Sequence, residues 1–291
     1  MMGVRAVTIS LALAIAGSLA CLLCASAPAK VPSGDFAAFS RCPRFTPGVE
    51  LCVAASITSG ESRVGNAAVP IDKTITLQGG IIPNPQTNIE TFVEAEGGET
   101  LSKTPLLVPG GLTGLISPRA LPVSLQRMFA QVVNGGGEPV SAITELVGTP
   151  RISTMSLEIR EGAGFSLPTR IKLVNQFLGS KCYVGSSSEP VVLELTDGYT
   201  SPPGPNLPIV GRFGKVFFSD EFELVKVLGD SLVDNSFSVP RVTGCGGPLA
   251  PVLDPLLDAR LGLPSPAGNN TVIFNDTLQE GGVGAVIASE K

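Results

Sequence analysis

The sequence predicts an all-β protein: a disulfide-stabilised β-sandwich, or a barrel-like variant, of about a dozen short strands with Pro- and Gly-rich loops and at most one or two short helices. Three observations support this prediction. Short runs with β-branched residues recur between turn residues, helix signals are few, and four cysteines follow the N-terminal apolar segment. The 34 Gly and 25 Pro among 291 residues exceed ordinary usage and indicate many turns.

Residues 1–29 have the pattern of a secretory signal peptide. Arg5 is the only charge before Lys30, and the run from Ala6 to Ala27 contains only apolar or small residues. Small residues next to this run allow cleavage after Ala29. The alternative is an uncleaved segment that anchors the chain, because about 22 residues can span a bilayer. We therefore expect a secreted protein, extracellular or held in the cell envelope.

The mature chain is predicted to be one extracellular β domain, residues 30–291, with a possible subdivision near residues 120–140. Its formal net charge is negative, −5 for the whole sequence, and removal of the basic leader makes it more acidic. A moderately acidic chain is a poor match for a phosphate backbone, so nucleic acid is excluded as a partner.

The strands are predicted from short runs with β-branched residues, several of which alternate apolar and polar side chains. We interpret Asn269–Thr271 and Asn275–Thr277, which match glycosylation sequons, as turns around one such strand. The predicted strands are Leu51–Thr58, Lys73–Leu77, Thr91–Ala95, Ala142–Gly148, Ser153–Ile159, Ile171–Phe177, Val191–Thr196, Lys215–Ser219, Glu223–Leu228, Ser236–Val239, Thr271–Phe274 and Ala285–Ala288.

Two segments carry helix signals. Pro255–Leu261 has Asp254 as a candidate N-cap and Gly262 just beyond its end, which matches the preference for Pro at the start and Gly after the end of a helix. Leu121–Asn134 is a second candidate, closed by three glycines and weakened by its valines.

The four cysteines of the mature chain, Cys42, Cys52, Cys182 and Cys245, predict a disulfide framework, because an even number in an exported protein is typically paired. We predict the pairs Cys42–Cys52 and Cys182–Cys245, since a Pro-Gly turn lets the first two meet. A four-cysteine metal site is the alternative, but the close pairs of a zinc ribbon are missing.

The segment Thr104–Val123 is apolar, with Arg119 as its one charge, and its four prolines and three glycines oppose a regular helix or central strand. Two interpretations stay open. The segment folds over one end of the sandwich and plugs the core, or it forms an exposed apolar patch for a protein, lipid or glycan partner. The contact residues of the second interpretation are Leu106, Leu107, Val108, Leu112, Leu115 and Ile116.

The sequence lacks the common catalytic motifs. With no His, serine–histidine and cysteine–histidine hydrolases and His-ligated zinc enzymes are excluded. The Ser-x-x-Lys pattern, the nucleophile elbow, the P-loop and the dinucleotide fingerprint are also absent. We expect no cofactor and no metal site.

Carboxylates are the remaining candidates for chemistry. A hydrolase that acts on polysaccharide needs two carboxyl groups facing across a cleft. We interpret each acidic group structurally, as a helix cap, a solvated edge or a turn, with a weak calcium site as the alternative for the last two groups. The three groups are Asp254 with Asp258; Glu90, Glu94, Glu96 and Glu99; and Asp220, Glu221 and Glu223.

Several short motifs together resemble uncharacterised secreted proteins of actinobacteria. They are the Ala-rich leader, Cys42–Pro43, Cys52, Lys181–Gly185, Gly244–Pro248 and Asn269–Thr271. The resemblance covers most of the mature chain and implies export and a disulfide-stabilised β domain. It implies no activity and no functional residues.

These observations predict a secreted or envelope-associated protein that acts by binding an unknown protein, lipid or glycan, with no catalysis. Two alternatives stay open: a carboxylate-based hydrolase acting on cell-wall or polysaccharide material, and a passive structural component of the envelope.

Overall fold

Two antiparallel sheets with an apolar core between them form the body of the protein. The computed structural model describes residues 30–84, 90–219 and 223–291, so the predicted signal peptide lies outside the described residues. In chain order the strands are β1 (Leu51–Val64), β2 (Ala67–Ile71), β3 (Ile75–Ile82), β4 (Thr91–Glu94), β5 (Leu106–Leu107), β6 (Ser141–Leu146), β7 (Arg151–Ile152), β8 (Phe165–Val174), β9 (Tyr183–Val184), β10 (Val191–Leu195), β11 (Lys215–Phe218), β12 (Leu224–Asp234), β13 (Val242–Thr243) and β14 (Thr271–Gly282).

The first sheet has the strand order β11-β12-β14-β1-β3-β4, and β2 pairs with the far end of β1. In the second sheet the order is β13-β9-β8-β6-β5, and β7 and β10 also pair with β8. The two sheets join at one edge, where Thr196 after β10 forms an isolated bridge with Val233 of β12. Within the described residues the strands do not close into a barrel, so the sandwich form of the prediction is confirmed.

The helices lie around the sheets. They are α1 (Gly111–Leu115), α2 (Val123–Asn134), α3 (Thr154–Ile159), α4 (Ala250–Leu261) and α5 (Val283–Ala288). The two longest, α2 and α4, are the two that the sequence predicted. α4 begins before Asp254, which lies inside the helix, and it ends at Gly262 in the left-handed conformation (φ 69°).

Three predicted strands are wrong. The segment Ser153–Ile159 contains helix α3, because the Ser153 hydroxyl accepts the Ser156 N–H at 3.2 Å and so caps the helix. Residues 285–288 belong to α5, whose Val286 is fully buried in a small cluster with Phe39. In the segment Ser236–Val239, Val239 alone pairs with another part of the chain, through an isolated bridge to Ser265.

Both predicted disulfides are confirmed. Cys42–Cys52 ties the N-terminal segment to β1, and Cys182–Cys245 ties the chain before β9 to the loop after β13, 63 residues further on. All four cysteines are fully buried. The second disulfide fixes the end of the sandwich where α4 packs on β13.

Candidate functional site: a row of cavities between the sheets

The space between the two sheets contains three adjoining cavities of about 40, 30 and 60 Å³, which we call the inter-sheet slot. Thr144 of β6 lines all three, and neighbouring cavities share further side chains. Protein interiors normally contain few voids larger than a water molecule. Three such voids in a row are therefore a departure from ordinary core packing.

The slot follows the inward face of β8. Alternate residues of this strand line it in sequence, from the first cavity to the third: Phe165, Leu167, Thr169, Ile171 and Leu173. Because successive strand residues rise by about 3.3 Å, eight steps along β8 correspond to a length of about 26 Å. The slot is therefore long and narrow.

On the opposite sheet, a β-bulge keeps β1 facing the slot. The pairing of β1 with β14 shifts between Ile57 and Ser59, so Thr58 is the extra residue. Ala55 and Ile57 line the slot before the bulge, and Ser62 and Val64 line it afterwards. Without the bulge, the alternation of side chains would turn Ser62 and Val64 away from the core.

The segment predicted as a contact patch covers the third cavity, at one end of the slot. Leu106, Val108, Leu112, Leu115 and Ile116 are buried, and of the six predicted contact residues Leu107 alone is exposed, at 50%. The third cavity is lined by Leu106, Val108 and Leu115. The interpretation as an exposed patch is therefore wrong for five of the six, and the alternative, a plug on the core, is what the structure has.

The plug can be buried because its backbone is hydrogen-bonded. Val108 N–H donates to the Val140 carbonyl at 2.9 Å, and Leu112 N–H donates to the Glu138 carbonyl at 2.8 Å. This close approach requires glycine at position 111, where a Cβ would lie 2.6 Å from the Glu138 carbonyl oxygen.

At the other end, a surface cleft of about 510 Å³ lies between the segment after β4 and the end of β6. Its lining includes the charged side chains of Lys103, Glu145 and Arg170. Leu101 lines both this cleft and the first cavity of the slot. Leu101 therefore lies against both spaces, which makes the cleft the candidate entrance to the slot.

One ionisable group, Asp276 of β14, lines the slot. Its side chain is 4% exposed, and neither carboxyl oxygen has a hydrogen-bond partner among the described residues. Bulges flank it on both sides, one in β1 and one at Gly229 of β12. Burial first, and then the negative charge of Asp230, raise the pKa of Asp276 to about 8.

Two further aspartates lie behind Asp276. Asp230 is its direct partner across the β12–β14 pair, and burial together with the charge of Asp197 raises the pKa of Asp230 to about 6. Burial also raises the pKa of Asp197, whose carboxyl oxygens have no hydrogen-bond partner in the described part of the chain. The Arg160 guanidinium donates to the carbonyl of Asp197 at 3.0 Å.

A fourth buried aspartate, on β12 with Asp230, has hydrogen-bond donors for its carboxyl, as is usual for a buried carboxylate. Asp234 accepts N–H groups from Glu194 at 2.8 Å and from Ser236 at 2.6 Å, so both of its oxygens have donors. It helps to hold the edge where β10 meets β12. Among the described residues, neither oxygen of Asp276 or Asp197 has a donor, and Oδ1 of Asp230 has none, so these three aspartates are the unusual group.

The described carboxylates among those predicted from sequence have structural roles or lie at the surface. Asp254 and Asp258 accept backbone N–H groups of the Thr243–Cys245 region and of Val242. Glu90 accepts both the N–H and the hydroxyl of Thr154 at the start of α3. Glu94 lines the surface cleft, while Glu96 and Glu99 form ion pairs with Arg44 and Arg41. Asp220 and Glu221 lie outside the described residues, and Glu223 is exposed.

Sequence reasoning misses Asp276, because the sequon Asn275–Thr277 indicates a turn. The strand β14 instead runs on through Gly282. The available signal was the alternation of Val272, Phe274, Asp276 and Leu278, which places an aspartate where an apolar residue is expected.

Residues 30–84, 90–219 and 223–291 contain no group of three or more Cys, Asp or Glu side chains arranged to hold a metal ion. No helix in these ranges has both the length and the apolar character of a membrane span.

Comparisons with protein-family models, with curated proteins and with solved structures found no match to this chain. The resemblance to secreted actinobacterial proteins therefore stays a prediction. The function has to be inferred from the site itself.

Proposed function

We propose that this protein is an exported, non-catalytic binding protein that holds an elongated apolar molecule, such as the acyl chain of a lipid, between its two sheets. The single observation that carries the proposal is the row of three apolar cavities along β8. A void in a well-packed core costs stability, so three aligned voids are better explained by a ligand than by packing alone.

The lining supports an apolar chain as the ligand. Apart from Asp276, the described side chains around the slot are aliphatic or aromatic, or are the short hydroxyl side chains of Ser62, Thr144 and Thr169. Thr169 donates its hydroxyl to the Val191 carbonyl at 2.8 Å, which reduces its polarity toward the slot. Pockets of this kind bind mainly by burying apolar surface, with a few polar groups that fix orientation.

The two disulfides support export, because such bonds persist in oxidising compartments. A secreted or envelope-associated protein is exposed to membrane lipids and to their released chains. The surface cleft beside Leu101 is the proposed route by which a chain enters the slot.

The first test is chemical extraction. Protein purified from cells that export it is unfolded in organic solvent, and the extract is examined by mass spectrometry. We expect an apolar chain molecule in stoichiometric amount.

The second test uses two neighbouring alanines of β2. Ala67 lines the third cavity, whereas Ala68 is on the other face of the strand and lines none of the three. Ala67→Leu should weaken binding of a pyrene-labelled alkyl probe about tenfold, since overpacking a site typically costs about 1–3 kcal/mol and about 1.4 kcal/mol corresponds to a factor of ten. Ala68→Leu is the matched control and should bind like the wild type. Equal binding by both variants and the wild type would show that the cavities are packing defects and would reject the proposal.

A further inference from the structure

Asp276 gives the slot one polar recognition point. Its carboxyl lines the first cavity, is almost completely buried, and has no partner for either oxygen among the described residues. A buried polar atom without a partner costs stability that a ligand can recover by supplying one. The position of this group inside an apolar slot therefore points to a polar atom on the ligand.

We propose that the ligand is an apolar chain carrying an uncharged carbonyl oxygen, as in a ketone or an ester, and that the carboxyl of Asp276 donates a hydrogen bond to that oxygen. This inference rests on the proposed function, since it assigns the chemistry of a ligand that occupies the same slot. A hydrocarbon without the oxygen would fill the cavities and leave Asp276 unpartnered.

The surroundings of Asp276 keep it in the form that donates. Its neighbour on β12 is Asp230, behind which lies Asp197, and its neighbour on β1 is Ile57. From the second sheet, the side chains that line the first cavity carry no charge. Arg212 acts on Asp230 and Arg160 acts on Asp197, so the charges of these two cations fall on the aspartates behind Asp276. With a pKa of about 8, Asp276 is mainly the neutral acid at pH 7 and carries a proton to donate.

The same surroundings disfavour other head groups. A ligand carboxylate would meet Asp276, with Asp230 and Asp197 behind it and no cation among the lining residues, so repulsion opposes its binding. An ammonium group would instead require Asp276 to lose its proton. Binding of a carbonyl ligand should therefore weaken as pH rises, and binding of an ammonium ligand should strengthen. The pH dependence of binding distinguishes the two.

The experiment measures displacement of the pyrene-labelled alkyl probe from the full mature chain by four twelve-carbon compounds: dodecane, 2-dodecanone, dodecanoate and dodecylamine. At pH 6 we expect 2-dodecanone to bind about tenfold more tightly than dodecane. The advantage should shrink as pH rises above about 8, when Asp276 loses its proton. Dodecane binding should change little over this range.

Two variants separate recognition from folding. Asp276→Leu should keep dodecane binding and lose the advantage of the ketone. Asp276→Asn, which has nearly the same shape and retains N–H donors, should keep most of that advantage and make it independent of pH. Circular dichroism checks that both variants fold.

The failures are distinguishable. If no compound displaces the probe and the probe itself does not bind, the proposed function fails, and this inference fails with it. If dodecane and 2-dodecanone bind equally well, or the ketone keeps its advantage in Asp276→Leu, the slot binds chains and the role of Asp276 is rejected. Tightest binding by dodecylamine, increasing with pH, would likewise reject the carbonyl and identify a cationic ligand.

Discussion

Asp254 and Asp258 of α4 and Asp276 of β14 are the same residue type in contrasting surroundings. On α4, Asp254 accepts the N–H groups of Gly244 and Cys245 at 2.9 and 2.8 Å, and Asp258 accepts that of Val242 at 2.8 Å. Asp276, at a double bulge between the sheets, has no such donors among the described residues.

This difference separates structure from function. A carboxylate that accepts backbone N–H groups fixes a loop and stabilises the fold. A buried carboxyl without donors opposes folding and persists only if something else requires it. Each of the following predictions tests whether the two regions differ in this way.

The largest effect is expected where the α4 region is cross-linked. Replacing Cys182 and Cys245 together by Ala should lower the free energy of unfolding by about 4 kcal/mol, because the disulfide closes a long loop. Removal of Cys42–Cys52, which closes a loop of 10 residues, should cost less, about 3 kcal/mol. Urea denaturation of both double variants measures the difference. A loss below 1 kcal/mol for the first pair would show that the α4 region is held by other contacts.

The second prediction concerns the partnered aspartate itself. Asp258→Ala leaves the Val242 N–H without its acceptor, which should destabilise the protein by about 2 kcal/mol. The control is Asp35→Ala, which removes an exposed carboxylate paired with Lys226 and should change stability little. If the two variants lose the same stability, the buried contacts of Asp258 are not what stabilises this end of the sandwich.

The third prediction is that substitution of Asp276, unlike that of Asp258, increases stability at high pH. The folded protein holds this proton with a pKa of about 8, whereas an unfolded Asp has a pKa of about 4. Because the folded state binds the proton more tightly, this group's stabilising contribution is complete below pH 4 and is lost as pH rises to 8. Asp276→Asn removes the titration and should raise stability at pH 8 by about 2 kcal/mol, with little change at pH 5.

Urea titrations at the two pH values measure this reversal. The raised pKa values of Asp230, near 6, and of Asp197 add a residual slope in the same direction. An Asp276→Asn variant that is less stable than the wild type at pH 8 would show that the carboxylate has a stabilising partner. The contrast with Asp258 would then be lost.

The sequence predicts one of these regions better than the other. Pro255 and Gly262 are local signals, so α4 follows from residues close together in the chain, and the Cys182–Cys245 pair is the one that remains once Cys42 and Cys52 are joined. The region of Asp276 depends on two bulges and on strands β1, β12 and β14, which are distant in sequence. A bulge changes which residues face inward, and alternation alone does not show where one occurs.

The wrongly predicted segments also depend on contacts between residues that are distant in sequence. The segment Ser153–Ile159 has the composition of a strand, but Ser153 and Glu90 supply hydrogen bonds that favour a helix, and Glu90 is distant in sequence. The apolar plug was recognisable by its composition. Its position against Val140 and Glu138, and hence its burial, depends on tertiary contacts.

The smallest expected effect concerns the bulge that places Asp230 beside Asp276. Gly229 has φ 71° with open space around its missing Cβ, so a side chain there meets backbone strain and no clash. Gly229→Ala should therefore cost about 1 kcal/mol, and Gly229→Asn less, since Asn tolerates this conformation better. Urea denaturation distinguishes the two, and the pH dependence of stability should be unchanged in both because the aspartates keep their places. A loss well above 1 kcal/mol, accompanied by a flatter pH dependence, would mean that the bulge had shifted and taken the aspartates with it.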